Sequence, residues 1–177
     1  MGKPAQPTDA EARFRAIFSH LGDVVAYARR RGSPDPDAIA AETMAIAWRR
    51  LAEVPHDDPR PWLFATARNL LLAEWRERSR PSVNGDNGEP VSPTYNLQAL
   101  DPELLTALKS LPVVDRETLF LVAWEDLSPS LAAKSLGISQ GAFRVRLHRA
   151  CQRLQRALEG GGVRPPIHLD CIESERP

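Results

Sequence analysis

From Glu11 to Arg30 the apolar residues Phe14, Ile17, Phe18, Leu21, Val24, Val25 and Ala28 recur at helical steps with charges on the other face, predicting one amphipathic helix. Gly32-Ser33-Pro34 breaks it, and Pro36 suits the first turn of a second helix running through Met44 and Trp48 to about Leu51. Prolines and aspartates make Val54 to Pro59 a loop. A third helix follows from Pro61 to about Arg78, carrying Trp62, Leu63, Leu70, Leu71 and Trp75. Between Ser79 and Leu100, apolar periodicity gives way to Pro, Gly, Asn and Ser, the composition of a flexible linker.

Beyond it, Leu104, Leu105 and Leu108 predict a short helix over Asp101–Ser110, and a further helix runs from Asp115, expected as its N-cap, to Trp124. Ser128-Pro129 reads as an N-cap followed by a first-turn proline, Gly137 as a left-handed C-cap, and Ser139 as the next N-cap. Two short helices joined by Leu136-Gly137-Ile138-Ser139 form a helix-turn-helix. Phe143, Leu147, Cys151 or Ala150, Leu154 and Leu158 make the apolar stripe of its second helix. No segment alternates like a strand, so the expected fold class is all-α: two small helical domains joined by a flexible linker.

At 177 residues, one ordinary domain or two small ones are affordable, and the 42% hydrophobic content does not suggest wholesale disorder. The longest apolar run, Leu119 to Trp124, is far short of the ~20 residues a membrane helix needs, and the N-terminus lacks an apolar signal segment. No membrane partner and a cytoplasmic location are expected. Cys151 and Cys171 sit in no CxxC or CxxH spacing, and His20, His56, His148 and His168 are scattered, so neither metal nor cofactor is expected. Cys151, on the stripe, reads as a small core hydrophobe.

Lys plus Arg and Asp plus Glu both total 23, yet the sum conceals the distribution. Gln140 to Arg156 holds Arg144, Arg146, Arg149, Arg153 and Arg156 and no acid, which suggests nucleic-acid contact more than a paired, solvated surface. Aromatics weigh the other way: Trp62 and Trp75 read as core before base-stacking platforms, and Trp48 and Trp124 as core.

At this point the residues resemble a known family, the extracytoplasmic-function (ECF) sigma factors, the two-domain minimal members of the bacterial sigma-70 family. LPVVDRETLFLVAWEDLSPSLAAKSLGISQGAFRVRLHRACQRL is similar to region 4, while ETMAIAW followed by RPWLFATARN is similar to region 2. The matches cover most of residues 11 to 158. Ala38, Ala41 and Ala73 stand where the family usually shows polar or acidic residues, Ile46 where a basic one is common, and Leu131 replaces a typical glutamate.

The resemblance implies a region 2 three-helix bundle over 11–80, a linker over 81–100, a region 4 helix-turn-helix over 101–159 and a tail over 160–177. It implies a non-enzymatic promoter-recognition subunit of core RNA polymerase. Gln140, Arg144, Arg146, His148 and Arg149 would read the duplex minus thirty-five element. The Val54–Pro59 loop and the Pro61 helix would open the minus ten element, engaging it through Trp62, Arg68, Asn69, His56 and Asp57, with Asn69 near a base turned out of the stack. Ile39, Glu42, Thr43, Ile46 and Arg49 would face the β′ clamp helices, and the β flap is a second polymerase contact. The linker, with Asp86 and Glu89, would thread near the RNA exit path. The resemblance also leaves open an anti-sigma factor as a partner.

Two other classes remain open: a polymerase-independent helix-turn-helix regulator using residues 101–158, and a sigma-like interaction module that opens no promoter. The tail, with Ile167, Leu169 and Ile172, is either an unstructured end or a segment that folds back or binds a regulator.

Overall fold

The computed structural model describes residues 8–78 and 100–159, and its regular structure there is entirely helical. The chain separates into two compact units, dividing between residues 96 and 97. The linker and tail expectations, including Cys171 and His168, lie outside the described residues.

The first unit begins with α1 (Asp9–Phe18), whose Thr8 and Glu11 exchange side-chain to backbone hydrogen bonds as a capping box. The single helix expected over Glu11–Arg30 is two: α2 spans Leu21–Arg30, and the chain turns at Ser19-His20. The Ser19 hydroxyl donates to the Ala16 carbonyl at 2.6 Å, while the Ser19 and His20 amides bond to Arg15 and Ile17, closing α1 in a tightened turn. Apolar spacing continues across this break, so periodicity alone does not register it. His20 then meets Asp23 in the first turn of α2 at 2.9 Å.

Next come α3 (Pro36–Arg49), capped by Asp35 accepting from the Ala38 amide, a 3₁₀ turn (Leu51–Glu53), and α4 (Arg60–Arg78). The expected three-helix bundle is therefore a four-helix unit with a 3₁₀ turn. Its core joins Val24, Tyr27 and Ala28 of α2 to Ala40, Met44 and Ala47 of α3 and Leu63, Phe64, Ala67 and Leu71 of α4. Tyr27 stacks on Phe64 at 4.8 Å, and the guanidinium of Arg31, only 1% exposed, lies 3.3 Å from the Tyr27 ring centroid. A buried cation is costly unless compensated, and this ring face together with the Tyr27 carbonyl, 3.2 Å from Nη1, compensates Arg31. Trp48, expected in the core, is 47% exposed and meets Phe14 in a T-shaped contact with ring centroids 5.0 Å apart. It falls on the flank of α3, beside the face carrying Ala40, Met44 and Ala47. Trp124 is half-buried against Phe120.

In the second unit, α5 (Pro102–Ser110), α6 (Val113–Ala123) and α7 (Pro129–Leu136) all pack on α8 (Gln140–Glu159). Asp101 caps α5. Asp115, expected to cap α6, instead lies buried in its first turn, where it accepts a hydrogen bond from Arg153 of α8. Pro112 holds the cap position, since it has no amide hydrogen to leave unpaired. Asp115 thus meets both the positive end of α6 and a guanidinium. Asp126 adopts φ 51° after α6, a left-handed conformation aspartate tolerates.

The turn between α7 and α8 follows the expected chemistry. The Ser128 hydroxyl accepts from the Leu131 amide, and Gly137 has φ 65°, at which the Ile138 amide reaches the Ala133 carbonyl at 3.1 Å. Ser139 caps α8 by accepting from the Ala142 amide at 3.2 Å. Phe143, Leu147, Ala150, Cys151, Leu154 and Leu158 are all buried along α8, so both alternatives for the stripe, Ala150 and Cys151, belong to it. Burial pushes the Cys151 thiol above its ordinary range and leaves it a packing group with little thiolate to react.

Candidate nucleic-acid interface

Because the buried stripe fixes the rotation of α8, its other positions must face outward. Gln140, Arg144, His148 and Arg149 are exposed and Arg146 is half-buried at the edge of the stripe. Arg146 and Arg149 pair with no carboxylate among the described residues. His148 and Gln152 approach side chain to side chain at 3.0 Å, one turn apart. The five arginines are not equivalent: Arg153 is engaged by buried Asp115 and ties α8 to α6, while Arg156 bonds through Nε to the Gln152 carbonyl at 3.2 Å. The charge of Arg146 and Arg149 lies in the first half of the helix. A cationic helix face opposite an anchored apolar stripe can enter a major groove and meet phosphates and base edges with one rigid element.

In the first unit, Trp62 and Asn69 lie seven positions apart on α4. They therefore share a face about 10 Å apart along the axis, together with Thr66 and Ala73. Trp62 is half-buried and Asn69 exposed. Arg68, the next residue back from Asn69, points about 100° away on the flank of the helix, so the structure groups Trp62 with Asn69 and sets Arg68 apart. His56 and Asp57 are exposed in the loop leading to this helix. That loop is held at both ends: buried Val54 accepts through its carbonyl from Arg13, and Asp58 accepts from the Arg60 amide at 3.0 Å and from its guanidinium at 2.8 and 3.1 Å.

The Arg60 guanidinium holds the Asp58 carboxyl below the ordinary carboxylate range, with His20 adding a smaller effect of the same sign. A depressed folded-state pKa stabilises above the unfolded value and is lost as pH falls through the folded one. Asp58→Asn is therefore expected to cost less than about 1 kcal/mol at neutral pH, since water still reaches the pair. Denaturant midpoints of the two proteins should converge as pH falls below about 4. A gap that stays constant with pH contradicts this role.

Arg50 went unnoticed in the sequence. It pairs with exposed Glu53 at 2.8 Å and its guanidinium lies 5.9 Å from the Trp62 ring centroid, placing a cation beside the one aromatic on the outward face of α4. Its place beside Trp62 comes from the 3₁₀ turn that folds the chain back, which spacing does not reveal.

Of the residues expected to face the polymerase, Glu42 and Arg49 are exposed and bridge each other at 2.8 Å, while Ile39 and Ile46 are half-buried. Thr43 is wholly buried and donates to the Ile39 carbonyl at 2.8 Å. It has no surface to offer a partner: one position on from Glu42, α3 has already turned toward its core. Among the described residues no helix is long and apolar enough to cross a membrane, and no group of three or more His, Cys, Asp or Glu converges for a metal ion.

The Sigma-70 region 2 family model matches residues 17–81, and that of Sigma-70, region 4 matches 102–154. The chain is 30% identical over 164 residues to the ECF RNA polymerase sigma factor SigL of Mycobacterium tuberculosis, spanning 86% of this chain and 92% of that protein. It is 31% identical over 133 residues to the ECF RNA polymerase sigma factor SigM of Bacillus subtilis, spanning 71% and 80%. Among solved structures it is similar to the sigma factor RpoE of Bartonella quintana, in complex with the anti-sigma factor NepR, with a TM-score of 0.63 and 25% identity over 82% of this chain and 95% of that one. CnrH, in complex with the cytosolic domain of CnrY, matches with a TM-score of 0.57 and 26% identity over 83% and 88%. Two helical units carrying the regions in this order, together with relatives matched over most of their length, place the chain in the sigma-70 family as an ECF RNA polymerase sigma factor.

Proposed function

We propose that the chain binds core RNA polymerase and directs it to promoters by dividing the work between its two units. The second unit, 101–159, reads the duplex minus thirty-five element through Gln140, Arg144, Arg146, His148 and Arg149. The first, 11–80, opens the minus ten element. One observation carries the reading: the first half of α8 presents Arg146 and Arg149, with no carboxylate partner among the described residues, beside a buried stripe, on a helix that follows a glycine-capped turn.

Opening a duplex needs a surface that receives an unstacked base. The Trp62–Asn69 face of α4 supplies a ring and a side chain that both donates and accepts, and Arg50 beside Trp62 adds a cation for the strand's phosphates. His56 and Asp57 stand at its entrance, and Arg68 on the flank suits a backbone contact. Glu42, Arg49 and the half-buried Ile39 and Ile46 form the α3 surface for the β′ clamp helices, an apolar centre with a charged rim. The chain supplies no chemistry of its own; its contribution is binding energy spent on strand separation. Since RpoE is seen in complex with the anti-sigma factor NepR, we extend the proposal to an anti-sigma factor for this protein.

Permanganate footprinting of the chain with core polymerase tests the division. Thymines in the minus ten segment should become reactive only when both are present, and Asn69→Ala should lower that reactivity while leaving upstream protection in place. Undiminished reactivity in Asn69→Ala contradicts the assignment of this face.

A further inference from the structure

Among the exposed large apolar side chains, Val145 is the most exposed at 52%, and it lies in the middle of the cationic stretch of α8. At about 100° per residue it sits on the side of the helix opposite Phe143, Leu147, Ala150 and Leu154, in line with Gly141 one turn before and Arg149 one turn after. It has no place in the buried core.

Gly141 supplies an independent sign. A Cβ placed there would meet nothing within 4 Å, and its backbone is ordinary helix, so the fold has no use for a glycine. Glycine in a helix is destabilising relative to alanine, yet the outward line of α8 is bare at this position. Space left open on the face that carries the arginines suits close approach by something outside the chain.

We infer that Val145 is a specificity-determining residue that packs against the C5-methyl group of a thymine in the major groove, with Gly141 clearing the way for the helix to sit deep enough. The inference rests on the proposed reading of α8 as the duplex-reading helix. Apart from the small C–H edges such as cytosine C5–H, the other major-groove features are hydrogen-bond donors or acceptors, and a valine set against one of those would strip its water and return nothing. The thymine methyl alone gains from the contact. Arg149, on the same outward side, and Arg146 on the flank hold the helix in register while the valine discriminates.

The test uses the full chain reconstituted with core polymerase. Selection from a pool of duplexes randomised upstream of the start site defines the preferred element, and each thymine in it is then replaced singly by deoxyuridine, which removes only the methyl. One such replacement should weaken binding by wild type about fourfold, the worth of one buried methyl-sized group. Val145→Ala should bind the thymine and deoxyuridine duplexes equally well, with unchanged thermal unfolding. Methyl removal without effect at every thymine, or an effect that persists in Val145→Ala, overturns the assignment while leaving the duplex-reading role of α8 intact. A pool that enriches no upstream element overturns that role and this inference together.

Discussion

The chain carrying both Arg146→Ala and Arg149→Ala is expected to bind promoter duplex about 100-fold more weakly than wild type, if each guanidinium contributes roughly a tenfold share. Binding to core polymerase should be unchanged. Neither arginine pairs with a carboxylate among the described residues, so removing them strips no internal ion pair, and stability should move by no more than about 0.5 kcal/mol. Salt titration sorts their roles. If both touch phosphates, the slope of log affinity against log salt becomes shallower by about 1.8, at ~0.9 for each neutralised phosphate. If they read bases, the slope holds and discrimination between sequences falls. Wild-type duplex affinity in the double variant contradicts the placement of the interface on this face.

Phe143→Ala acts through the fold. The ring is fully buried on α8, the helix on which α6 and α7 both pack, and truncating a buried phenylalanine costs about 3–5 kcal/mol. A unit of about 60 residues has little stability in excess of that. The second unit should therefore unfold at ordinary temperature while the first keeps its own core of Tyr27, Phe64, Leu63 and Leu71. Far-ultraviolet circular dichroism should show loss of roughly half the helical signal, with polymerase binding through α3 retained. Loss of all helix at once would mean that the two units do not fold independently.

The two residues differ in how the sequence exposes them. Phe143 is legible because its partners Leu147, Ala150, Leu154 and Leu158 lie on the same helix at fixed spacing. The turn before it is legible for a similar reason, since Ser128, Pro129, Gly137 and Ser139 act through hydrogen bonds and φ values that span no more than a few residues. Features that leave the apolar period unchanged, or that contacts between elements set, were not. Ser19 ends α1 through a side-chain hydrogen bond that leaves the apolar period untouched. Asp115 has the composition of a cap, and its true partner is Arg153, 38 residues away. Trp48 has the size of a core residue, but α3 already fills its inner face with Ala40, Met44 and Ala47, leaving the indole on the flank. The family resemblance puts Thr43 on the outer surface of α3 together with Glu42, although one residue is enough to turn a side chain inward. Val145 did carry a signal, an apolar residue off the stripe among arginines, which a search for charge alone passes over.

Strand opening, duplex reading and polymerase docking converge on a single reaction. Run-off transcription by purified core polymerase on a pool of genomic fragments, with and without the full chain, measures all three together. Discrete transcripts that depend on the chain and share an upstream element are the predicted result. Transcription indistinguishable from core polymerase alone, despite tight association between the two, would mean that the chain docks without conferring promoter choice.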